Sequence, residues 1–131
     1  MNTKAFLFLA FLFSLSVSFR GHGEPVAEKG IIDLRTTASE KFVVRLQGEW
    51  EFYWNRMLTP DDFRIKGKAG PFYYGRVPSY WTDYPQDSVR TTGMGFATYR
   101  LLVLLPEGFR NSMAFEIPVF DSSYEIFLNG I

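Results

Sequence analysis

The sequence predicts an all-β domain in which two stacked sheets share one core. The first observation is period-two alternation from Phe42 to Trp54, which is typical of a strand with one face buried and one in water. The second is that the last third of the chain, from Ala97 onward, consists of apolar or alternating stretches separated by turn residues. The third is that helix-start signals are concentrated in one short segment, after Leu58.

The stretch 42–54 is the predicted centre of the fold. Its even positions read Phe, Val, Leu, Gly, Trp, Phe, Trp, and its odd positions are mostly polar, including Glu49 and Glu51. A helix would spread these rings around its axis and leave the two carboxylates no common wet face. We therefore expect the even side chains to fill the core and the odd ones to face water. Gly48 is expected to mark a bulge or tight turn where a side chain would be in the way.

Two further strands are predicted before residue 80. Residues 30–35 read as a short first strand, and residues 72–77 as a strand that ends at Pro78.

One short helix is predicted between these strands. Thr59 is a suitable N-cap, Pro60 suits the first helical position, and Asp61 and Asp62 fall in the first turn. We interpret the two aspartates as complementing the helix dipole rather than as a metal site, because no other ligand cluster is visible.

The last third of the chain is predicted to be strand after strand. Residues 97–105 begin with alternation and end apolar on both faces, as a central strand would. Residues 113–119 and 124–128 also alternate, and Pro118 marks an edge, a bulge or a strand end. Asn129-Gly130 is a strong hairpin signal, yet one residue follows it, so the returning strand is missing. We therefore expect a truncated chain or the front piece of a longer protein.

Composition restricts the possible functions. The chain has 131 residues, which favours one domain, and its 14 basic and 14 acidic residues give zero formal charge. This balance argues against nucleic acid as a partner, since that binding needs clustered cations. Cysteine is absent, so the fold must depend on its core without disulfides. His22 is the only histidine and precedes the predicted domain, so we expect no metal and no cofactor.

The N-terminus has the three-part form of a secretory signal peptide at residues 1–18. A lysine-containing start is followed by an apolar stretch from Ala5 to Leu15 and by small residues at 16 and 18. The apolar stretch is short for a membrane span, which needs roughly 20 residues, although an uncleaved anchor is the alternative. Residues 19–29 read as a flexible lead-in, and residues 30–131 as the sandwich domain. We expect export, in a bacterium to the periplasm or the outer face of the inner membrane.

Several motifs together resemble a known family. They are Gly30-Ile31-Ile32-Asp33-Leu34-Arg35, Leu46 to Trp54, Val77-Pro78-Ser79-Tyr80-Trp81, Gly95 to Arg100 and Tyr124 to Gly130. This skeleton resembles the N-terminal extracellular domain of bacterial seven-transmembrane receptors with diverse intracellular signalling modules. It is also similar to the sugar-binding domain of family-two glycoside hydrolases. The resemblance covers residues 30–131, and Trp50 to Trp54 together with Gly95 to Arg100 favours the receptor family.

The resemblance implies a galactose-binding-like jelly-roll sandwich, incomplete at its C-terminus. It further implies a sensing domain for a carbohydrate or related small molecule, which would meet a membrane only through missing downstream segments. The alternatives are the non-catalytic sugar-binding domain of a secreted glycosidase and an inactive secreted fragment.

The residues themselves favour binding over catalysis. No serine elbow or usable histidine is present, and Glu49 and Glu51 are neighbours on the expected wet face of one strand, unlike the two acids that face each other across a glycosidase cleft. The best candidate for ligand contact is the loop with Tyr80, Trp81, Asp83 and Tyr84, whose rings could stack on a sugar while the carboxylate accepts hydroxyl hydrogen bonds.

A structural role is the competing interpretation for several of these side chains. Trp81 belongs to the shared skeleton and is favoured as a core residue, whereas Tyr80 and Tyr84 are evenly balanced. Arg100 is expected to pair with a buried carboxylate or carbonyl rather than with a ligand.

Overall fold

The computed structural model describes residues 23–37, 42–85, 90–117 and 122–131. The predicted signal peptide, His22, Pro118 and Val119 lie outside the described residues.

The described part of the chain is β-rich, as the sequence predicts. One short helix, α1, covers Pro60–Arg64, and a 3-10 turn covers Trp81–Asp83. The strands are β1 (Ile31–Asp33), β2 (Gly48–Trp54), β3 (Tyr73–Val77), β4 (Ala97–Arg100) and β5 (Leu102–Leu104). Within the described residues, no helix is both long and apolar enough to span a bilayer.

Strand β2 is the centre of a three-stranded antiparallel sheet with the order β3–β2–β4. In the register, Trp50 is opposite Gly75 of β3, and Phe52 is opposite Tyr99 of β4. Strands β1 and β5 form a second, parallel sheet. The prediction that the aromatic stretch lies on a strand is therefore confirmed for residues 48–54.

Residues 97–105 do not form the single central strand that the sequence predicts. The stretch divides at Leu101, so that β4 belongs to the first sheet and β5 to the second. The reason lies in Gly30, whose N–H donates to the Glu49 carbonyl at 3.0 Å while its own carbonyl accepts from Leu102 N–H at 2.9 Å. Gly30 is thus inserted between β2 and the chain that follows β4, and that chain must leave the first sheet.

The segment before β1 is part of this pairing. Ala27 forms a parallel bridge with Gly48, and its N–H donates to the Gln47 carbonyl at 2.7 Å. Ala27 is also fully buried, although the sequence places it in the lead-in. Gly48 has φ +116, and a Cβ there would lie 2.3 Å from the Ala27 carbonyl oxygen. The close approach expected at Gly48 is therefore present.

The even positions of the central stretch do face the interior. The inner core consists of Ala27, Ile32 and Leu34, surrounded by the partly buried Phe42, Val44, Leu46, Trp50, Leu101, Val103 and Leu105. Phe52 lies outside this cluster but has no exposure at all, and its ring centroid lies 5.0 Å from those of both Tyr84 and Tyr99. Burial of such rings is a large favourable contribution to stability.

The opposite face of β2 is not uniformly wet, which corrects the expectation for the odd positions. Tyr53 is only 3% exposed because its ring packs against Phe63 of α1 and Phe72, with centroids 5.4 and 5.5 Å away. Arg100 pairs with Glu51 at 2.9 Å and lies over the Phe63 ring at 5.0 Å. The carboxylate partner expected for Arg100 is thus Glu51, whose side chain is 15% exposed.

The helix start follows the prediction. Both the N–H and the hydroxyl of Thr59 donate to Asp62 Oδ2, at 2.8 and 2.9 Å. Asp61 pairs with Arg64 at 2.7 Å, and Asp62 also pairs with Lys68 at 2.8 Å. These contacts give both aspartates structural partners.

The strands predicted at 113–119 and 124–128 are not observed in the described residues. Residues 111–117 and 122–128 carry no strand pairing, and Phe115 and Tyr124 are 47% and 59% exposed. Alternation provides a suitable face, but a strand also needs a partner edge. The turn predicted at Asn129-Gly130 does form, since both residues have positive φ and Leu128 and Ile131 exchange two backbone hydrogen bonds.

Candidate functional site

A groove of about 580 Å³ lies against strands β2 and β3 of the first sheet, and we call it the main groove. Its walls come from the N-terminal segment, the first residues of β2, strand β3 and the loop after β3. The lining residues are Val26, Ala27, Glu28, Lys29, Gly48, Glu49, Tyr74, Arg76, Ser79, Asp83, Tyr84 and Pro85.

A smaller depression of about 180 Å³, the side groove, adjoins the main groove. It is lined by Val26, Gln47, Gly48, Arg76, Val77 and Pro78. Val26, Gly48 and Arg76 line both depressions, so the two adjoin, and we call them together the trough. Gly48 leaves this part of the trough open because it has no side chain. The close approach of Ala27 leaves no room for one.

The polar lining carries charges of both signs. Glu28, Glu49 and Asp83 contribute carboxylates, and Lys29 and Arg76 contribute cations. None of these side chains takes part in an ion pair among the described residues. Glu49 instead accepts a hydrogen bond from the Lys29 backbone N–H at 3.0 Å. The groove therefore presents charged groups that are available to a ligand.

Tyr74 is the more exposed of the two aromatic residues that line the main groove. It is 43% exposed, and its ring packs edge-on against Phe72 with centroids 5.4 Å apart. A half-exposed ring held by a neighbour can stack on the apolar face of a small molecule at little cost in conformational entropy.

Two of the four predicted ligand residues line the main groove. Asp83 is exposed, its N–H closes the 3-10 turn on the Tyr80 carbonyl at 3.0 Å, and its Oδ2 lies 3.4 Å from Ser79 Oγ. Tyr84 is only 5% exposed, so it has little surface open to the groove.

Tyr84 is mainly a core residue. Its hydroxyl donates to the Arg76 carbonyl at 3.0 Å and lies 3.2 Å from the Tyr99 hydroxyl. Burial raises the pKa of Tyr84, against a smaller lowering by the hydrogen bond with Tyr99. The ring covers Gly75 so closely that a Cβ there would lie 2.5 Å from Cε2. Stacking of a sugar on this ring is therefore not possible in this conformation.

The other two predicted residues do not line either groove. Trp81 donates from Nε1 to the Thr92 carbonyl at 2.8 Å, and its ring meets Trp54 with centroids 5.2 Å apart. This is the packing role that the alternative interpretation gives it. Tyr80 is 81% exposed and stands alone of the four as a free aromatic surface outside the grooves.

Sequence reasoning missed Tyr74, Arg76 and the N-terminal residues of the groove. A signal for the first two existed, because antiparallel pairing of the predicted strands 42–54 and 72–77 places their alternate side chains beside Glu49 and Glu51. The contribution of Glu28 and Lys29 could not be found this way, since it depends on the pairing of Ala27 with Gly48.

Metal binding has no visible basis in the described residues, which contain no group of three or more histidine, aspartate or glutamate side chains placed to hold an ion.

Comparison of this chain with protein-family models, with curated proteins and with solved structures finds no match in any of the three.

Proposed function

We propose that this chain is the extracytoplasmic sensing domain of a membrane signalling receptor and binds a carbohydrate or related small molecule in the main groove. The proposal includes a jelly-roll sandwich of galactose-binding type and a binding role without catalysis. The observation that carries it is the lining of the main groove, which combines carboxylates and cations with Tyr74, an aromatic residue that is 43% exposed. Polar groups that fix orientation beside an aromatic surface are what a sugar-sized ligand needs.

The size of the groove supports a small ligand. A volume of about 580 Å³ lies within the range of small-molecule sites, roughly 300–1,000 Å³. The wall comes from three separate parts of the chain, so ligand binding would hold together the N-terminal segment, β3 and the following loop.

The receptor part of the proposal is supported by the family resemblance described above. Three residues of its skeleton have defined structural tasks, as expected for residues that maintain a fold. Gly48 allows the approach of Ala27, Trp81 packs on Trp54, and Arg100 pairs with Glu51.

A binding screen tests the ligand class. The purified chain is screened against a panel of neutral, amino and acidic saccharides, and each binder is measured by titration calorimetry. We expect Asp83→Asn and Tyr74→Ala each to weaken binding by about tenfold, through loss of one charged hydrogen-bond acceptor or one stacking ring. Tyr80→Ala is the matched control, because its ring is exposed on the same loop but outside the groove.

The opposite pattern of mutational effects would assign the binding site to a different part of the chain. If Tyr80→Ala abolishes binding while Asp83→Asn and Tyr74→Ala have no effect, the ligand binds the exposed loop ring and the main groove is not the site. The earlier candidates Trp81 and Tyr84 are poor probes, because their removal would disturb packing before it reported on binding.

Two separate measurements test the receptor and export assignments. The first is the gene sequence after the codon for Ile131. Several encoded apolar segments of roughly 20 residues would support a receptor, whereas an encoded long α/β barrel would indicate a glycosidase. N-terminal sequencing of the chain recovered from the periplasm or medium should begin near Phe19. Retention in the cytoplasm with an intact N-terminus would contradict export.

A further inference from the structure

Two cross-strand charge pairs on the same face of β2 behave differently. Glu51 is opposite Arg100 of β4, and the two side chains form an ion pair at 2.9 Å. Glu49 is opposite Arg76 of β3, yet no ion pair joins these two side chains. Opposite charges directly across an antiparallel pair normally attract each other.

The carboxylate of Glu49 has another partner. Its Oε2 accepts the backbone N–H of Lys29 at 3.0 Å, and Lys29 has φ 48, a conformation that a residue with a side chain adopts at a cost. The N-terminal segment thus draws Glu49 toward itself. As a result, the Arg76 guanidinium has no carboxylate partner among the described residues.

Arg76 also has a special position in the trough. Arg76 lines both the main groove and the side groove, so it lies where the two depressions adjoin. A guanidinium presents a planar fork of N–H donors that matches a carboxylate with two parallel hydrogen bonds.

From this arrangement we propose that the trough recognises an acidic saccharide, a chain of at least two sugar units that carries a carboxylate, and that Arg76 binds this carboxylate. This inference rests on the proposed function and specifies its ligand class. The hydroxyl groups of the same ligand donate to Glu28 and Asp83, which lack ion-pair partners among the described residues.

The charge balance of the trough distinguishes a carboxylate from a phosphate. Three carboxylates and two cations line the main groove, so the surroundings already carry one negative charge in excess. A phosphate monoester concentrates close to two negative charges on one group at neutral pH, so it would be repelled more strongly beside Arg76 than a carboxylate, which carries one. Hydroxyl donors also suit the lining acids better than further acceptor oxygens do.

The test compares two matched probes on the full chain. Digalacturonate carries carboxylates, and the neutral digalactoside has the same linkage without them. By titration calorimetry we expect digalacturonate to bind at least about tenfold more tightly, because a charge-assisted bidentate contact is added. Its affinity should fall as sodium chloride is raised, while that of the neutral probe should stay constant.

Variants then assign the preference to Arg76. Arg76→Gln should reduce the affinity for digalacturonate to that for the neutral probe and leave the latter unchanged. Arg76→Lys should retain part of the preference, since it keeps the charge but loses the planar fork. Arg110→Gln is the matched control, because this substitution changes the net charge by the same amount. Arg110 itself is exposed and lines neither groove. Thermal melting of each variant checks that folding is intact.

The outcomes separate this inference from the proposed function. Equal affinity for the two probes, or a preference that survives Arg76→Gln in a folded variant, overturns the inference and leaves saccharide binding in place. Equal binding of a sulfated digalactoside and digalacturonate overturns the assignment to a carboxylate. Failure of all saccharides in the binding screen removes the proposed function and this inference with it.

Discussion

Gly48 and Ala27 approach so closely that position 48 has no room for a side chain. A Cβ at Gly48 would lie 2.3 Å from the Ala27 carbonyl oxygen and 2.6 Å from its nitrogen. The same contact carries the hydrogen bond from Glu49 N–H to the Ala27 carbonyl at 2.8 Å. This pair of residues connects the N-terminal segment to the central strand, and it also forms part of the main groove.

Replacing Gly48 should therefore be costly. Gly48→Ala combines a positive φ of +116 with a clash against backbone atoms, and we expect a loss of about 3 kcal/mol in the free energy of unfolding, measured by urea denaturation. Gly67→Ala is the matched control, because Gly67 has φ +79 but nothing within 4 Å of its would-be Cβ, and should lose about 1 kcal/mol. Equal losses in the two variants would show that the contact with Ala27 is looser than described.

The hydroxyl pair of Tyr84 and Tyr99 should be energetically coupled. Their oxygens are 3.2 Å apart, and Tyr84 also donates to the Arg76 carbonyl. Each single change to phenylalanine should cost about 1 kcal/mol of stability. The double variant should cost less than the two single changes together, since they remove a shared interaction. Strict additivity of the three unfolding free energies would argue against the bond.

Alkaline pH should destabilise the fold through Tyr53. Burial, followed by the hydrogen bond to Glu51, raises the pKa of Tyr53 to about 12. The unfolded value is about 10, so the stabilisation by the protonated hydroxyl is complete below pH 10 and is lost as the pH rises toward 12. Ionisation of this one side chain can lower the free energy of unfolding by at most about 1.4 kcal/mol per pH unit.

Urea denaturation between about pH 9 and 12 checks this dependence. In Tyr53→Phe, the free energy of unfolding should fall less steeply with pH than in the parent chain. Some decline should remain in both proteins, because burial also raises the pKa values of Tyr84 and Tyr99. Tyr80→Phe is the control, because its ring is 81% exposed, and it should follow the parent profile. An unchanged slope in Tyr53→Phe would contradict the role given to its buried hydroxyl.

At acid pH the helix cap should fail through Asp62. The hydrogen bond from Lys68, followed by those from the Thr59 backbone and side chain, lowers the pKa of Asp62 to about 2. Because the folded value lies below the ordinary 3.8, this stabilisation is present above pH 3.8 and is lost as the pH falls toward 2.

Asp62→Asn should flatten the stability profile over this acid range. The midpoint of thermal unfolding, recorded at several pH values, measures the effect. Asp61→Asn is the neighbouring control, since its pairing with Arg64 is highly exposed and surface pairs contribute little. A profile for Asp62→Asn that keeps the full acid decline of the parent would show that the cap does not control it.

Features set by neighbouring residues in the sequence were predicted better than features set by contacts between separate elements. The cap at Thr59, the strand end before Pro78 and the turn at Asn129-Gly130 depend on neighbouring residues, and all three are present in the structure. The candidate site was harder to predict. Asp83 does line the groove, but Tyr84 is buried because it covers Gly75, a residue on a different element.

The alternation over residues 42–54 by itself predicted a strand with a break at Gly48, because alternation is a local property with a period of two. The part from Gly48 to Trp54 forms that strand, with Trp50, Phe52 and Trp54 on one face, whereas residues 42–47 are not in a strand. The sequence also predicted a close approach at Gly48, but that Ala27 is the residue which approaches was decided by the tertiary structure. Only the tertiary structure decided that Gly30 separates β4 from β5, that α1 buries Tyr53, and that Arg76 stands without a carboxylate partner among the described residues. Each of these features depends on how a distant segment pairs with the strand or packs against it. The alternation within one strand does not specify that partner.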